Sequence, residues 1–208
     1  MGRPRQYDEQ NLLDTAQELF WTRGYDRTSL EEVARASGVG TSSLYARYGS
    51  KLGLFLRVFG RYCAARVELA SGGPAGPSAD LEAAASEYLD RVVSDCLSYA
   101  DRRGCLMLNS IAELGDRFPE VLAVADAAID QMESALTARL CETADAHHIA
   151  LSPVDARRAA ETTVLASQGI VQLSRLRVPP RRLRELAARS SRLVAPPACR
   201  PGARAVGS

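Results

Sequence analysis

The tightest constraint in this sequence is a pair of short helix-forming segments separated by only three or four residues. Ser29-Leu30-Glu31-Glu32 reads as a capping box, with the Ser29 hydroxyl at the N-cap and Glu32 reaching back to it. Leu30, Val33 and Ala34 supply an apolar face, and Gly38 stops the segment. After Val39-Gly40, Thr41 or Ser42 can cap a further helix through Tyr45 and Tyr48, before Gly49-Ser50 breaks the chain again. This is helix-turn-helix spacing.

The rest of the chain carries the same helical period. Leu12, Leu13, Ala16, Leu19 and Phe20 mark a first helix from about Asp8, closed by Gly24 at a C-cap position. Leu54, Phe55, Val58, Phe59 and Tyr62 mark a fourth, reaching about Ala70. Residues 71–78 are nearly all breakers and small side chains, which puts a domain boundary there. Beyond it, Leu81, Ala84, Ala85, Tyr88, Leu89, Val92, Val93 and Cys96 hold a stripe that opens a second core. Gly104 restarts the pattern as a short helix to about Leu114, and Pro119 suits the first turn of a long one toward His147. Ser152-Pro153-Val154-Asp155 begins a helix to about Leu176, and Pro179-Pro180 begins a last one to about Val194. There is no β alternation and no internal repeat. The expected fold is all-α, with an N-terminal three-helix helix-turn-helix domain joined by a fourth helix to an α-helical ligand-binding and dimerisation domain. The divisions are a basic arm over 1–7, the DNA-binding domain with its linking helix over 8–70, the effector-binding and dimerisation domain over 79–194, and a disordered tail over 195–208.

Of the 208 residues, 46% are hydrophobic and 25% charged, the balance of a soluble globular chain. No apolar run approaches the roughly 18 residues that span a bilayer, and the start lacks a secretion signal, so a cytoplasmic protein without membrane contact is expected. The five cysteines are widely spaced with no Cys-x-x-Cys, which indicates neither a disulfide framework nor a zinc site. The net charge of +1 conceals an asymmetry. Residues 1–70 carry 10 basic against 8 acidic side chains, residues 71–178 carry 9 against 16, and residues 179–208 carry 7 against 1. An acidic middle is repelled by nucleic acid, so polyanion contacts belong to the ends.

Residues 11–55 resemble the N-terminal domain of the TetR family of regulators. The resemblance is carried by Leu13-x-x-Ala16-x-x-Leu19-Phe20-x-x-x-Gly24-Tyr25-x-x-Thr28-Ser29, by Glu32-Val33-Ala34-x-x-Ser37-Gly38-Val39, and by Leu44-Tyr45-x-x-Tyr48-Gly49-Ser50-Lys51. It covers about a quarter of the chain; the remainder matches the family only in helical pattern and length. The resemblance implies a homodimer that binds a palindromic double-stranded DNA operator through its third helix and answers to a small-molecule effector. Carried over by position, Thr41, Ser42, Ser43, Tyr45 and Tyr48 fall where the family touches DNA, and Thr28 and Ser29 join them at the head of the second helix. Ser42 stands where a lysine is frequent, and Ala46 and Arg47 where histidine or polar residues are usual, so an operator sequence does not transfer.

The residues themselves support several of these assignments. Lys51 is the one lysine beside 25 arginines, and it lies in the first turn of a helix, where a cation opposes the helix dipole. A phosphate held by the ammonium and the helix amides relieves that conflict; the alternative is a solvated side chain. Tyr45 and Tyr48 are spaced either as core or as one inward ring and one hydroxyl for phosphate. One of Thr41, Ser42 and Ser43 is expected to cap, leaving the others for DNA. Arg47 is the one long donor of this helix able to reach guanine; the alternative is a solvated or phosphate-binding arginine. Arg3 and Arg5 resemble a minor-groove arm, or form a basic tail adding only salt-dependent attraction.

In the second domain, the last two helices should form the dimer interface if the family's arrangement holds, with Ala166, Gly169 and Leu173 at the contact. A glycine inside a helix costs about 1 kcal/mol and calls for a packing reason, here a partner chain or the helix over 81–100. Cys105, Met107, Asn109 and Ser110 are the candidate effector lining, because Asn109 and Ser110 are polar groups in an apolar run that need partners in protein or ligand. Cys105 follows Arg102-Arg103 and is either a thiol sensor or a small core residue. His147-His148 should end a helix in solvent without forming a metal site. With no nucleophile–base pairing, Gly-rich phosphate loop or catalytic acid pair, neither an enzyme nor a cofactor is expected. The expected function is a ligand-released transcriptional repressor; an activator or ligand-independent regulator with the same head is the alternative, and a helical small-molecule-binding protein a remote one.

Overall fold

The computed structural model describes residues 9–72 and 76–193, and every regular element among them is an α-helix. In order these are α1 (Glu9–Arg23), α2 (Leu30–Ser37), α3 (Thr41–Tyr48), α4 (Lys51–Ser71), α5 (Leu81–Ser98), α6 (Leu106–Leu114), α7 (Pro119–Ala146), α8 (Pro153–Arg175) and α9 (Pro180–Arg192). None of the described helices is long and apolar enough to cross a membrane. The chain packs as two compact units. Among the described residues, one holds those up to Ala64 together with Cys105–Asp126, the other those of 65–104 together with those from Ala127 to Leu193.

The first unit is built on the apolar faces of α1 to α4. Leu12, Leu13, Ala16 and Phe20 of α1 are buried with Leu30 and Val33 of α2, Leu44 of α3, and Leu54, Phe55, Val58 and Phe59 of α4. Its centre is aromatic. Phe55 meets Phe20 and Tyr25 edge-on at 5.2 Å each and stacks on Phe59 at 5.5 Å, while Phe118 closes on Tyr25 at 5.5 Å. Ring pairs of this geometry contribute about 0.5–1.5 kcal/mol beyond their buried area. Gly24 ends α1 with φ +83°, its N–H donating to the Phe20 carbonyl, a left-handed cap that other residues rarely adopt.

Residues 105–126 pack into this first unit although forty residues, 65–104, separate them from the rest of it. Glu113 of α6 accepts the Tyr25 N–H at 3.0 Å, and Arg117 grips Asp26 through two hydrogen bonds of 2.7 and 3.1 Å. Both anchors converge on the α1–α2 turn. Helical periodicity detects α6 but not this attachment.

In the second unit α5 packs on α8 and α9, and α8 on α9. Asp80 caps α5 and Ser152 caps α8, with Pro153 in the first turn as its fixed φ favours. Within the buried core the Tyr88 hydroxyl donates to Ser167 Oγ at 3.0 Å, joining α5 to α8. Arg139 of α7 is almost wholly buried and donates to Ser78 Oγ at 3.0 Å and to Glu87 at 2.8 Å, fixing the segment that precedes α5. His147 and His148 are exposed, and His147 Nε2 lies 2.8 Å from the Ser78 carbonyl.

Phe55 is 1% exposed and touches three other rings. Replacing it with alanine should cost about 3–5 kcal/mol of the first unit's stability, read by urea titration. A loss under about 1 kcal/mol would show that the aromatic centre does not hold the unit together.

Candidate nucleic-acid interface

The α2–turn–α3 segment is fixed from both ends by local chemistry. Ser29 Oγ accepts the Glu32 N–H at 3.1 Å, and Glu32 Oε2 accepts the Ser29 N–H at 2.9 Å, the full reciprocal box. That backbone hydrogen bond from Ser29 holds the Glu32 carboxyl below its ordinary pKa. Gly38 closes α2, and the turn through Val39 leads to Gly40.

The start of α3 differs from the sequence expectation. Its N-cap is Gly40, in extended conformation with no side-chain cap, so none of Thr41, Ser42 and Ser43 serves that role. All three instead fill the first turn of α3, where the Ser43 N–H donates to the Gly40 carbonyl at 2.9 Å. Thr41 is half-buried, and Ser42 and Ser43 are exposed. Leu44 is the buried anchor of this helix. Neither tyrosine joins the core: Tyr45 is 48% exposed, and Tyr48 is half-buried with its hydroxyl 3.4 Å from a Glu9 carboxylate oxygen. Arg47 is exposed and donates to the other Glu9 oxygen at 2.5 Å.

At the next corner α4 begins at Lys51, and Ser50 Oγ accepts the Gly53 N–H at 3.0 Å. A Cβ at position 53 would lie 2.0 Å from the Tyr48 carbonyl oxygen, so the corner requires glycine. The Lys51 ammonium sits 4.2 Å from the centre of the Tyr25 ring and 3.5 Å from the Asp26 carbonyl. A ring face and a carbonyl therefore already balance the cation against the helix dipole. Thr28 is buried, and its hydroxyl donates to the Gly24 carbonyl at 2.9 Å, bracing the α1–α2 turn; Ser29 is half-buried in its capping role. Arg3 and Arg5 lie outside the described residues.

Two family models account for most of this chain. Residues 12–58 match the model described as bacterial regulatory proteins of the TetR family, and residues 81–190 match the tetracycline-repressor-like C-terminal domain. The second alone spans more than half of the sequence. The chain belongs to the TetR family.

This TetR-family chain is accordingly a DNA-binding transcriptional regulator and not an enzyme. It is similar to the transcriptional repressor ComR of Escherichia coli K12, 29% identical over 142 residues that make up 68% of this chain and 67% of ComR. It is also similar to the repressor BdcR of the same organism, 35% identical over 122 residues, 53% of this chain and 55% of BdcR. The match to BdcR thus spans little more than half of that protein's length. Among solved structures it resembles a cysteine mutant of the TetR-family regulator CifR complexed with a 26-base-pair operator duplex, at 27% identity and a TM-score of 0.66, covering 91% of this chain and 98% of that one.

Of the residues read as an effector lining, Cys105, Met107 and Ser110 are buried and Asn109 is half-buried, all on or beside α6. Cys105 caps α6 through its backbone, and its sulfur accepts a hydrogen bond from the Tyr62 hydroxyl at 3.3 Å. The neighbouring arginines are engaged with other groups: Arg103 holds Asp101 through two 3.1 Å contacts, and Arg102 donates to Ser174 Oγ. An open hollow of about 620 Å³ lies in the second unit, lined by Leu69, Glu87, Arg91 and Asp95 among others, and includes none of the four. On α8, Ala166 and Leu173 are half-buried and Gly169 is exposed, with open space where a Cβ would stand. Contact with α5 therefore does not explain the glycine; Ser167 supplies that contact.

Sequence reasoning missed Glu9, Asp26, Glu113 and Arg117, whose partners lie 38 to 91 residues away. Arg117, through its hydrogen bonds, holds the Asp26 carboxyl below the ordinary range, so the contribution of this pair is complete above the ordinary carboxylate pKa and is lost as pH falls through the lowered value. Glu113→Ala removes the acceptor of the Tyr25 N–H and should speed exchange of that amide roughly tenfold. Unchanged exchange at Tyr25 would show that Glu113 does not brace the turn.

Proposed function

We propose that this regulator is a repressor that binds a palindromic operator as a homodimer and is released by a small-molecule effector. The observation that carries the reading is the outer face of α3. Ser42, Ser43, Tyr45 and Arg47 are exposed around one buried anchor, Leu44, on a helix whose first turn has no side-chain cap. Such a face offers hydroxyls and a guanidinium to phosphates and base edges in a major groove. Thr41, Tyr48 and Lys51 border it, while Thr28 and Ser29 act by holding the turn that sets its angle. Arg3 and Arg5 would add minor-groove or electrostatic contacts. The DNA-binding role falls to residues 8–70 and the effector and dimerisation role to 79–194.

For the dimer, support comes from Leu165 of α8 and Leu176 at its C-cap, 72% and 75% exposed on the side that carries Ala166, Gly169 and Leu173. Large apolar side chains repeated along one helix face mark an association surface. A second copy would cover them, and Gly169 would let the backbones approach. In such a dimer the two α3 helices read half-sites one turn of DNA apart, roughly 34 Å. An effector held near Met107, Asn109 and Ser110 that prefers a different conformation weakens DNA binding, and by linkage DNA weakens effector binding equally.

The test is fluorescence-anisotropy binding to the duplex immediately upstream of the chain's own gene, over a salt series. Tight, competitor-resistant binding should be lost in Tyr45→Ala, and Lys51→Ala should flatten the dependence of log K on log salt by about 0.9 per protomer. Binding to that duplex that neither change affects would contradict the reading of α3, and transcription that rises on binding would mark an activator. Leu165→Glu, at a position facing water in the single chain, should leave helicity intact and yield monomers by sedimentation. Dimers that persist at unchanged affinity would place the interface elsewhere.

A further inference from the structure

Glu9 opens α1 and touches the far end of α3. One carboxylate oxygen takes the Arg47 guanidinium at 2.5 Å, and the other lies 3.4 Å from the Tyr48 hydroxyl. The two donors it engages both stand in the last turn of the helix proposed to read DNA, and both are groups that bind phosphate oxygens. A carboxylate accepting from a guanidinium and a phenol at once presents the geometry and charge of a backbone phosphate.

We infer that Glu9 is an internal phosphate mimic, a residue that sets the affinity of the head by occupying Arg47 and Tyr48 until DNA displaces it. This inference rests on the proposed DNA-binding role of α3. The exchange is feasible because the pair is open to water: the Arg47 side chain is 49% exposed and that of Glu9 36%. Exposed ion pairs are weak, and a duplex that releases condensed counterions competes with them effectively. The hydrogen bond from Arg47 depresses the Glu9 pKa, with Arg57 adding to the effect, so the mimic stays charged throughout the neutral range. The consequence is electrostatic. With Glu9 present its carboxylate offsets the Arg47 guanidinium; Glu9→Gln removes one negative charge per protomer from beside the phosphates.

The experiment measures binding of the full chain to a fluorescent duplex of mixed sequence over a salt series, with Glu9→Gln, Arg47→Ala and the double variant, thermal melts confirming that each is folded. Glu9→Gln keeps the shape of the side chain and removes its charge. It should tighten binding about two- to fivefold per protomer and steepen the log K against log salt slope by about 0.9 per protomer. The gain should shrink in the Arg47→Ala background, since Glu9 then has no guanidinium to mask. If Glu9 only pins α1 to α3, Glu9→Gln weakens binding, which overturns the inference. Wild-type binding with Glu9→Gln unchanged, or improved equally without Arg47, overturns it while leaving the reading of α3 intact. Failure of every variant to bind duplex at low salt overturns both.

Discussion

Tyr25 is the residue on which the first unit depends. Its ring, 8% exposed, packs edge-on against Phe55 and Phe118 and stacks beside Phe20, so it touches the interior faces of α1 and α4 and the residue just before α7 at once. The face of the same ring receives the ammonium of Lys51, which begins α4, and the Tyr25 backbone N–H goes to Glu113 of α6. Burial pushes the phenol's pKa up, so the ring stays neutral through the physiological range. One side chain in the α1–α2 turn thereby ties the helix that precedes the turn, the helix that follows α3, and the segment that returns later in the chain. The angle at which α3 is presented follows from those three attachments, and from the Ser29–Glu32 box that starts α2.

Much of this could be read before any coordinates. The capping box, the Gly24 and Gly38 stops and the start of α4 at Lys51 are local features, settled by residues within four positions of one another, and the structure has them where the spacing puts them. Apolar periodicity likewise found each described helix, because it reports which face of a segment is buried. It does not report what that face meets. Glu9 with Arg47, Glu113 with Tyr25 and Arg117 with Asp26 pair polar groups across 38, 88 and 91 residues, and nothing in the sequence marks one carboxylate on a helix as engaged rather than solvated. The cap of α3 shows a subtler failure. Three consecutive hydroxyl residues invite the role, yet Gly40 takes it, and the hydroxyls are left in the first turn.

The second unit follows a different physical logic. Its core is aliphatic and alanine-rich, and several of its buried polar groups form internal joints: Tyr88 to Ser167 between α5 and α8, and Arg139 to Glu87 and Ser78 at the entry to α5. What remains outside is informative about assembly, since Leu165, Leu176 and Leu193 stay in water in a single chain although the inner faces of their helices are well filled. In the proposed dimer, such a surface would join the two reading heads. The proposed account therefore assigns discrimination to α3, its strength to the balance between Arg47, Glu9 and phosphate, and its symmetry to α8 and α9.

The most direct test of that account is selection of duplexes from a random pool by the purified full chain, followed by sequencing of what it retains. The account predicts enrichment of an inverted repeat whose half-site centres lie about one helical turn, roughly 10 base pairs, apart, with the enrichment lost when the pool is presented to Tyr45→Ala. Enrichment of a single asymmetric site, or of no sequence at all at a salt concentration where the protein binds duplex, would contradict it.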